Sequence, residues 1–77
     1  MTKLNPIPGK AMVKLLLRMG FKLVRIKGSH HFFFNERSKK TASVPVHANE
    51  ILGTGLLKTI LRDIDLSVEE YEKLRKK

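Results

Sequence analysis

Two short segments rich in apolar residues, joined by a glycine turn, limit most strongly what this chain can fold into. Residues Phe21–Ile26 alternate strictly between the two sides of an extended chain, and His30–Asn35 form a second segment rich in phenylalanine. Gly28 and Ser29 lie between them, and glycine in so short a connection is typical of a β-hairpin. The sequence therefore predicts two antiparallel strands. The alternation puts two apolar residues on each side of the first strand, with Lys22, Val24 and Ile26 on one side and Phe21, Leu23 and Arg25 on the other.

A helix is predicted over residues 8–19, before the hairpin. Val13, Leu16 and Leu17 recur at helical spacing, and Gly20 is suited to the carboxyl end of a helix. Three basic residues at four-residue intervals form a stripe on its other face: Lys10, Lys14 and Arg18. The stripe is either a solvated face or part of a surface that binds an anionic partner.

A third strand and a second helix are predicted after the hairpin. A polar, basic loop over residues 36–40 leads to the strand, Thr41–Val46. Proline lacks the N–H that a central strand needs, so Pro45 belongs to an edge strand or a strand end. The second helix is predicted to have Thr54 as its N-cap. Its apolar residues recur at helical spacing: Leu56, Leu57, Ile60, Leu61 and Ile64.

The tail, residues 66–77, is predicted to form a short final helix. Ser67 and Glu70 have the spacing of a capping box, which opens a helix. Two acid–base pairs are predicted at i, i+4, Glu69 with Lys73 and Glu72 with Lys76. The complete order is αβββα with a helical tail. This order predicts an α+β fold in which helices flank a three-stranded antiparallel sheet.

Length and charge narrow the class of protein. A chain of 77 residues is expected to form one domain, residues 1–77, and without cysteine no disulfide holds it together. No apolar run is long enough for a signal peptide or a membrane span, so a cytoplasmic location without membrane contact is expected. Residues 1–62 carry twelve basic and two acidic residues (+10), whereas residues 63–77 carry four and five (−1). This charge favours a polyanionic partner, and solubility alone is the other explanation.

His30 is the candidate catalytic residue. It follows the glycine turn and lies near Lys22, Arg25 and Lys27, in a setting where a histidine can accept a proton at neutral pH. RNA carries its own nucleophile, the 2′-hydroxyl, so one base and a few cations suffice to cleave the strand. Two further residues, Gly28 and Ser29, would bring backbone N–H groups and a hydroxyl near a bound phosphate.

A regular second strand places neighbouring side chains on opposite faces. His30, Phe32 and Phe34 then share one face, and His31, Phe33 and Asn35 share the other. His31 is therefore expected to be a surface residue away from the site. The phenylalanines either pack in the core or stack on bases, and Phe33 or Phe34 is expected to contact RNA or a protein partner. Neither a metal nor a cofactor is expected, because adjacent histidines on a strand point apart and cysteine is absent.

Several motifs together resemble the HicA family of bacterial toxins, also called YcfA-like. They are Gly20-Phe21, Arg25, Lys27-Gly28-Ser29-His30, Val44-Pro45-Val46-His47, and Gly55 with Leu57, Ile60 and Leu61. The resemblance covers nearly the whole chain. It implies a compact fold like that of double-stranded-RNA-binding domains, with the helices on one face of the sheet.

The resemblance also implies an activity and a partner. Members of this family act as mRNA interferases, which are endoribonucleases, and are inhibited by a HicB antitoxin. The histidine of their Gly-Ser-His motif corresponds to His30 here. Members often carry a histidine after the valine-proline strand, here His47, for which a structural role or positioning of an RNA phosphate is favoured and proton transfer is the other alternative. Two alternatives stay open: an RNA-binding module without catalysis, and a domain that associates with proteins through its tail.

Overall fold

The αβββα order predicted from the sequence is present in the computed structural model, which describes residues 3–76. Over these described residues, three helices and a three-stranded antiparallel sheet form an α+β fold with a helix at its carboxyl end. The elements are α1 (Gly9–Arg18), β1 (Lys22–Lys27), β2 (His30–Asn35), β3 (Lys40–Pro45), α2 (Thr54–Asp63) and α3 (Val68–Arg75). No helix within residues 3–76 is long and apolar enough to cross a membrane.

The sheet has one face covered by helices and one face open. Its strands follow the order β1-β2-β3, and on β2 the side chain of Phe33 is 1% exposed while Phe32 and Phe34 are only half-buried. We call the side of His31, Phe33 and Asn35 the covered face and the side of His30, Phe32 and Phe34 the open face. On β3, Ala42 and Val44 are buried on the covered face. The two helices α1 and α2 both contact β3, which explains why that half of the covered face is buried.

The first helix, α1, packs unusually close to the end of β3. Gly9 is its first residue, and a Cβ atom there would lie 2.4 Å from the carbonyl oxygen of Pro45. A larger residue would push the helix away from the sheet. Met12 and Leu16 are fully buried against the sheet, and the helix ends before Gly20, whose φ of 95° favours glycine. The predicted bounds, 8–19, were therefore nearly correct.

The second helix, α2, begins without the predicted side-chain cap. Thr54 is already the first helical residue, and the N-cap position belongs to Gly53, which has no side chain to cap with. The prediction of Thr54 as N-cap was therefore wrong by one position. Leu57, Ile60 and Leu61 are buried as the helical spacing predicted, whereas Leu56 is largely exposed.

The third helix, α3, begins with the predicted capping box and packs against the start of the chain. The hydroxyl of Ser67 accepts a hydrogen bond from the backbone N–H of Glu70, whose carboxylate accepts one from the N–H of Ser67. Tyr71 is fully buried and donates its hydroxyl hydrogen to the carbonyl of Asn5. Burial raises the pKa of Tyr71 to about 12. The tail is thus part of the packed structure.

The two ion pairs predicted on α3 are not formed. The only ion pair within residues 3–76 joins Glu72 to Arg75 at 2.8 Å, at i, i+3. Glu72 is 6% exposed, and its carboxylate also accepts hydrogen bonds from the backbone and side-chain nitrogens of Asn5, at 2.9 and 3.1 Å. Hydrogen bonds from Arg75 and from the N–H of Asn5 lower the pKa of Glu72 to about 2. Glu72 therefore points toward the N-terminal segment, away from Lys76.

Candidate active site

A β-bulge in β1 gathers three basic side chains on the open face. Lys22 pairs with Phe34, and the register shifts between Leu23 and Arg25, which leaves Val24 as an extra residue. After the shift, Arg25 pairs with Phe32. Residues directly opposite each other in an antiparallel pair share a face of the sheet. Lys22 and Arg25 therefore lie on the same face, and the strict alternation predicted for residues 21–26 was wrong at Val24.

The hairpin turn brings His30 to the end of this basic surface. Lys27 pairs directly with His30, and Gly28, in the turn between them, has a φ of 60° that L-residues rarely adopt. The imidazole of His30 is exposed and stacks beside Phe32, with 6.4 Å between ring centroids and 28° between ring planes. A shallow depression of about 560 Å³ is lined by Lys27, Gly28, Ser29, His30 and Phe32. A histidine that faces such a depression is accessible to a polymeric substrate.

His47 joins the site through Ser29. The Oγ atom of Ser29 and the Nε2 atom of His47 are 3.1 Å apart, a hydrogen bond between residues separated by 18 positions. The backbone reinforces this contact, because the N–H of Val46 donates to the carbonyl of Ser29 at 2.8 Å and His30 pairs with Pro45. His47 is exposed. Ser29 thus precedes one candidate histidine, His30, in the chain and is hydrogen-bonded to the other, His47.

No acidic side chain within residues 3–76 forms an ion pair with the cations of this surface. Within residues 3–76 the single ion pair lies on α3, so no carboxylate is within 4.0 Å of the charged atoms of Lys22, Arg25 or Lys27. Charges that are not neutralised by the protein remain available to phosphate groups. All three side chains are exposed. The open face of β1 is therefore electropositive, next to His30.

Comparison with known families identifies the family to which the chain belongs. A sequence model of the family described as "HicA toxin of bacterial toxin-antitoxin" matches residues 9–66. The chain belongs to the HicA toxin family. The resemblance read from the sequence motifs is thereby confirmed, and the matched range contains α1, all three strands and α2. A search of curated proteins found no match to the chain.

In this HicA-family chain, two histidines that are adjacent in sequence have different environments. His31 is on the covered face, as predicted, but it is half-buried and not a freely exposed surface residue. Its Nδ1 atom lies 3.2 Å from the carbonyl oxygen of Ser29. Phe33, which follows on the same face, is 1% exposed. The prediction that Phe33 or Phe34 contacts a partner therefore fails for Phe33 and applies only to Phe34.

One site residue of this HicA-family chain was missed in the sequence. Lys39 has a φ of 62°, and its Nζ atom lies 6.0 Å from the centroid of the Phe34 ring. Arg25 has a similar position over Phe32, with its Cζ atom 5.5 Å from the ring centroid. Both distances are within the range of cation–π interactions. Nothing in the sequence identified Lys39, because its contact depends on the path of the loop between β2 and β3.

His30 and the cations beside it suit proton transfer and anion binding. Within residues 3–76, no three histidine or acidic side chains are placed so that they share a metal ion. A histidine with nearby cations matches the needs of phosphodiester chemistry, in which a proton is removed and negative charge develops on phosphate oxygens. His30 and the three cations of β1 provide both on one face of the sheet.

Proposed function

We propose that this HicA-family chain is the toxin of a type II toxin–antitoxin system and acts as an endoribonuclease that cleaves mRNA in the cytoplasm. The observation that carries the proposal is the open face of β1 and β2, where exposed His30 lies beside Lys22, Arg25 and Lys27. An exposed base among cations without acidic partners fits a polyanionic substrate that must lose a proton.

His30 acts as general base in the proposed reaction. A nitrogen of its imidazole takes the proton of a ribose 2′-hydroxyl, and the resulting 2′-oxygen attacks the adjacent phosphorus. The bond from phosphorus to the 5′-oxygen then breaks, leaving a 2′,3′-cyclic phosphate on one product. The departing 5′-oxygen takes up a proton from water, and the hydroxide that remains takes the proton from His30, which returns the imidazole to its neutral form. Because the substrate supplies the nucleophile, the reaction requires neither a metal-bound hydroxide nor a cofactor.

The remaining site residues hold the phosphate. Lys22, Arg25 and Lys27 neutralise phosphates along the strand, and the charge that develops on the reacting phosphate is stabilised in the same way. The turn residues Gly28 and Ser29 present backbone N–H groups beside His30. His47 positions the phosphate together with the Ser29 hydroxyl, to which it is hydrogen-bonded at 3.1 Å.

The proposed inhibitor is a HicB antitoxin that covers His30. The chain has a formal net charge of +9, so the surface of an antitoxin that covers the basic face is expected to be acidic. Membership of a toxin family in toxin–antitoxin systems supports a protein partner of this kind. Cleavage should stop when equimolar HicB is added, and continued cleavage would reject HicB as the inhibitor.

The decisive experiment is a gel assay with a long mixed-sequence RNA in EDTA. The His30→Ala variant should lose about 10²- to 10⁴-fold in cleavage rate, the usual contribution of a positioned general base. His31→Ala is the matched control, because the same residue type is removed from the other face of the same strand. It should cleave close to the parental rate.

Each other result of this assay has a clear meaning. Cleavage by His30→Ala at the parental rate would reject His30 as the base. If neither the parental protein nor the variant cleaves but both bind RNA, the protein is an RNA-binding module without catalysis. Cleavage that disappears in EDTA and returns with a divalent metal would reject the metal-independent reaction.

A further inference from the structure

Three aromatic rings form a row on the open face of β2. His30, Phe32 and Phe34 alternate along the strand, so their attachment points are about 6.6 to 6.8 Å apart, twice the rise of a strand residue. The first two rings are 6.4 Å apart between centroids and 28° from parallel. Phe32 and Phe34 are half-buried, so part of each ring is exposed to solvent. We call these three residues the aromatic row.

Each phenylalanine of the aromatic row has a cation over its ring. The guanidinium carbon of Arg25 is 5.5 Å from the centroid of Phe32, and the ammonium of Lys39 is 6.0 Å from that of Phe34. Lys22 is also placed opposite Phe34 by strand pairing. A nucleotide offers a flat base attached to an anionic phosphate, and this pairing of a ring with a cation matches both parts.

The aromatic row borders a depression on the open face. The depression has a volume of about 650 Å³, and its lining includes Val24, Phe34, Thr41 and Ser43. Helix α2 reaches this depression at one point, because its last residue, Asp63, belongs to the lining. Two cations, Arg25 over Phe32 and Lys39 over Phe34, outnumber this one carboxylate. An apolar floor with these charges differs from the largely uncharged centre of a typical protein–protein interface. The charge therefore favours a nucleic acid as the occupant over a protein.

We propose that the aromatic row is a stacking platform for two or three unpaired bases of single-stranded RNA. The inference rests on the proposed function, because the row begins at His30, the proposed general base. Bases in an A-form duplex are paired and stacked on each other, so a duplex offers only phosphates, hydroxyls and groove edges to a protein. The rings of the aromatic row cannot stack on these groups. The substrate is therefore RNA that is unpaired for a few nucleotides beside the cleaved bond.

The platform determines where the strand is cut. A base stacked on Phe32 or Phe34 holds its ribose at a set distance from the imidazole of His30, along a row in which successive rings are separated by one strand repeat. The Arg25 and Lys39 side chains hold the intervening phosphates. Binding energy from bases away from the scissile bond thus positions one 2′-hydroxyl at the base.

The absence of tryptophan allows a direct test of stacking. The Phe34→Trp variant carries a single tryptophan on the platform, and the probe is 2′-O-methyl RNA of about six nucleotides, which lacks the nucleophile and stays intact. Stacking on the indole should quench its emission in a saturable way. The matched control is Leu17→Trp, at a position on α1 that is 51% exposed. Its emission should not change.

Duplex RNA of the same sequence is the second arm of the test. The duplex should quench the Phe34→Trp emission far less than the single strand at equal phosphate concentration. Equal quenching by both probes, or equal quenching in the Leu17→Trp control, would overturn the inference, since either result indicates charge-driven contact without stacking.

Affinity provides an independent measurement on conservative variants. Phe34→Leu keeps an apolar side chain of similar bulk for the fold, and it should bind the 2′-O-methyl probe about 5- to 150-fold more weakly, the range for loss of one stacked base. Phe34→Tyr should restore binding. Unchanged affinity of Phe34→Leu would reject the platform. The proposed function is tested separately by comparing cleavage of unmodified RNA by the parental protein and by His30→Ala, because binding of the 2′-O-methyl probe involves no cleavage.

Discussion

The two faces of β2 differ sharply although they are made by alternate residues of one strand. On the covered face, Phe33 is 1% exposed and contributes to the core beneath α1 and α2. On the open face, His30, Phe32 and Phe34 remain accessible. Neighbouring residues therefore contribute to stability on one side and, in the proposed function, to binding or catalysis on the other. A substitution on the covered face of β2 should therefore change stability, and a substitution on the open face should change binding or catalysis.

The largest effect is expected from the core of the covered face. Phe33→Ala should lower the free energy of unfolding by about 3 to 5 kcal/mol, which is as much as a domain of this size usually has. The variant should be mostly unfolded in a urea titration followed by circular dichroism. Phe32→Ala, one residue earlier on the open face, should lose only about 1 kcal/mol. Equal losses would show that the two faces do not differ in this way.

The close approach of α1 to β3 should be the next most sensitive feature. Gly9→Ala places a Cβ atom 2.4 Å from the Pro45 carbonyl oxygen, so the helix must move. We expect the free energy of unfolding to fall by about 1 to 3 kcal/mol. Gly55→Ala is the control, because Gly55 is in α2 and a Cβ atom added there would have no neighbour within 4 Å. It should stabilise the protein by about 0.4 to 1 kcal/mol, and similar thermal melts for both variants would contradict the proposed clash.

A smaller effect, confined to activity, is expected at His47. His47→Ala removes the partner of the Ser29 hydroxyl and one group placed to contact a phosphate. The value of kcat/KM for RNA should fall about 10-fold, as for the loss of a hydrogen bond to a charged group. The free energy of unfolding should change by less than about 0.5 kcal/mol, because His47 is exposed. A destabilised variant with parental kcat/KM would instead assign His47 a structural role.

The smallest effect is expected when the pH is lowered, and it concerns the contact between α3 and the N-terminal segment. The pKa of Glu72 is about 2 in the folded protein, below its ordinary value of 4.5. A carboxyl group whose pKa is lower in the folded than in the unfolded protein stabilises the fold at pH values above its unfolded pKa. This stabilisation is lost as the pH falls from about 4.5 to about 2. The melting temperature of the parental protein should fall across this range.

The Glu72→Gln variant isolates this contribution. It should melt at a lower temperature than the parent at pH 7 and lose less on acidification, because its side chain does not titrate. Glu69→Gln is the matched control, since Glu69 is exposed and forms no ion pair within residues 3–76. Parallel pH profiles for the parent and Glu72→Gln would show that other carboxylates dominate acid unfolding.

Most of the fold could be predicted because its signals are local. The second strand matched the prediction at both ends, and the first and third were displaced by one residue each. The capping box of Ser67 and Glu70 depends on two residues three positions apart, which the sequence displays directly. The prediction of Thr54 as N-cap was wrong by one residue. The first helical residue is set by local backbone angles, and the spacing of apolar residues does not report these angles.

The sequence by itself determined the order of the elements, the placement of His30 at the hairpin turn and the membership of the HicA family, because turns, alternation and motifs are properties of neighbouring residues. Tertiary structure alone decided the contacts between distant residues. The bulge at Val24 aligned Lys22 with Arg25, the pairing of β2 with β3 brought His47 to Ser29, and packing of α3 brought Glu72 to Asn5. Such contacts depend on strand register and on how elements pack, and neither is encoded in the spacing of residues along the chain.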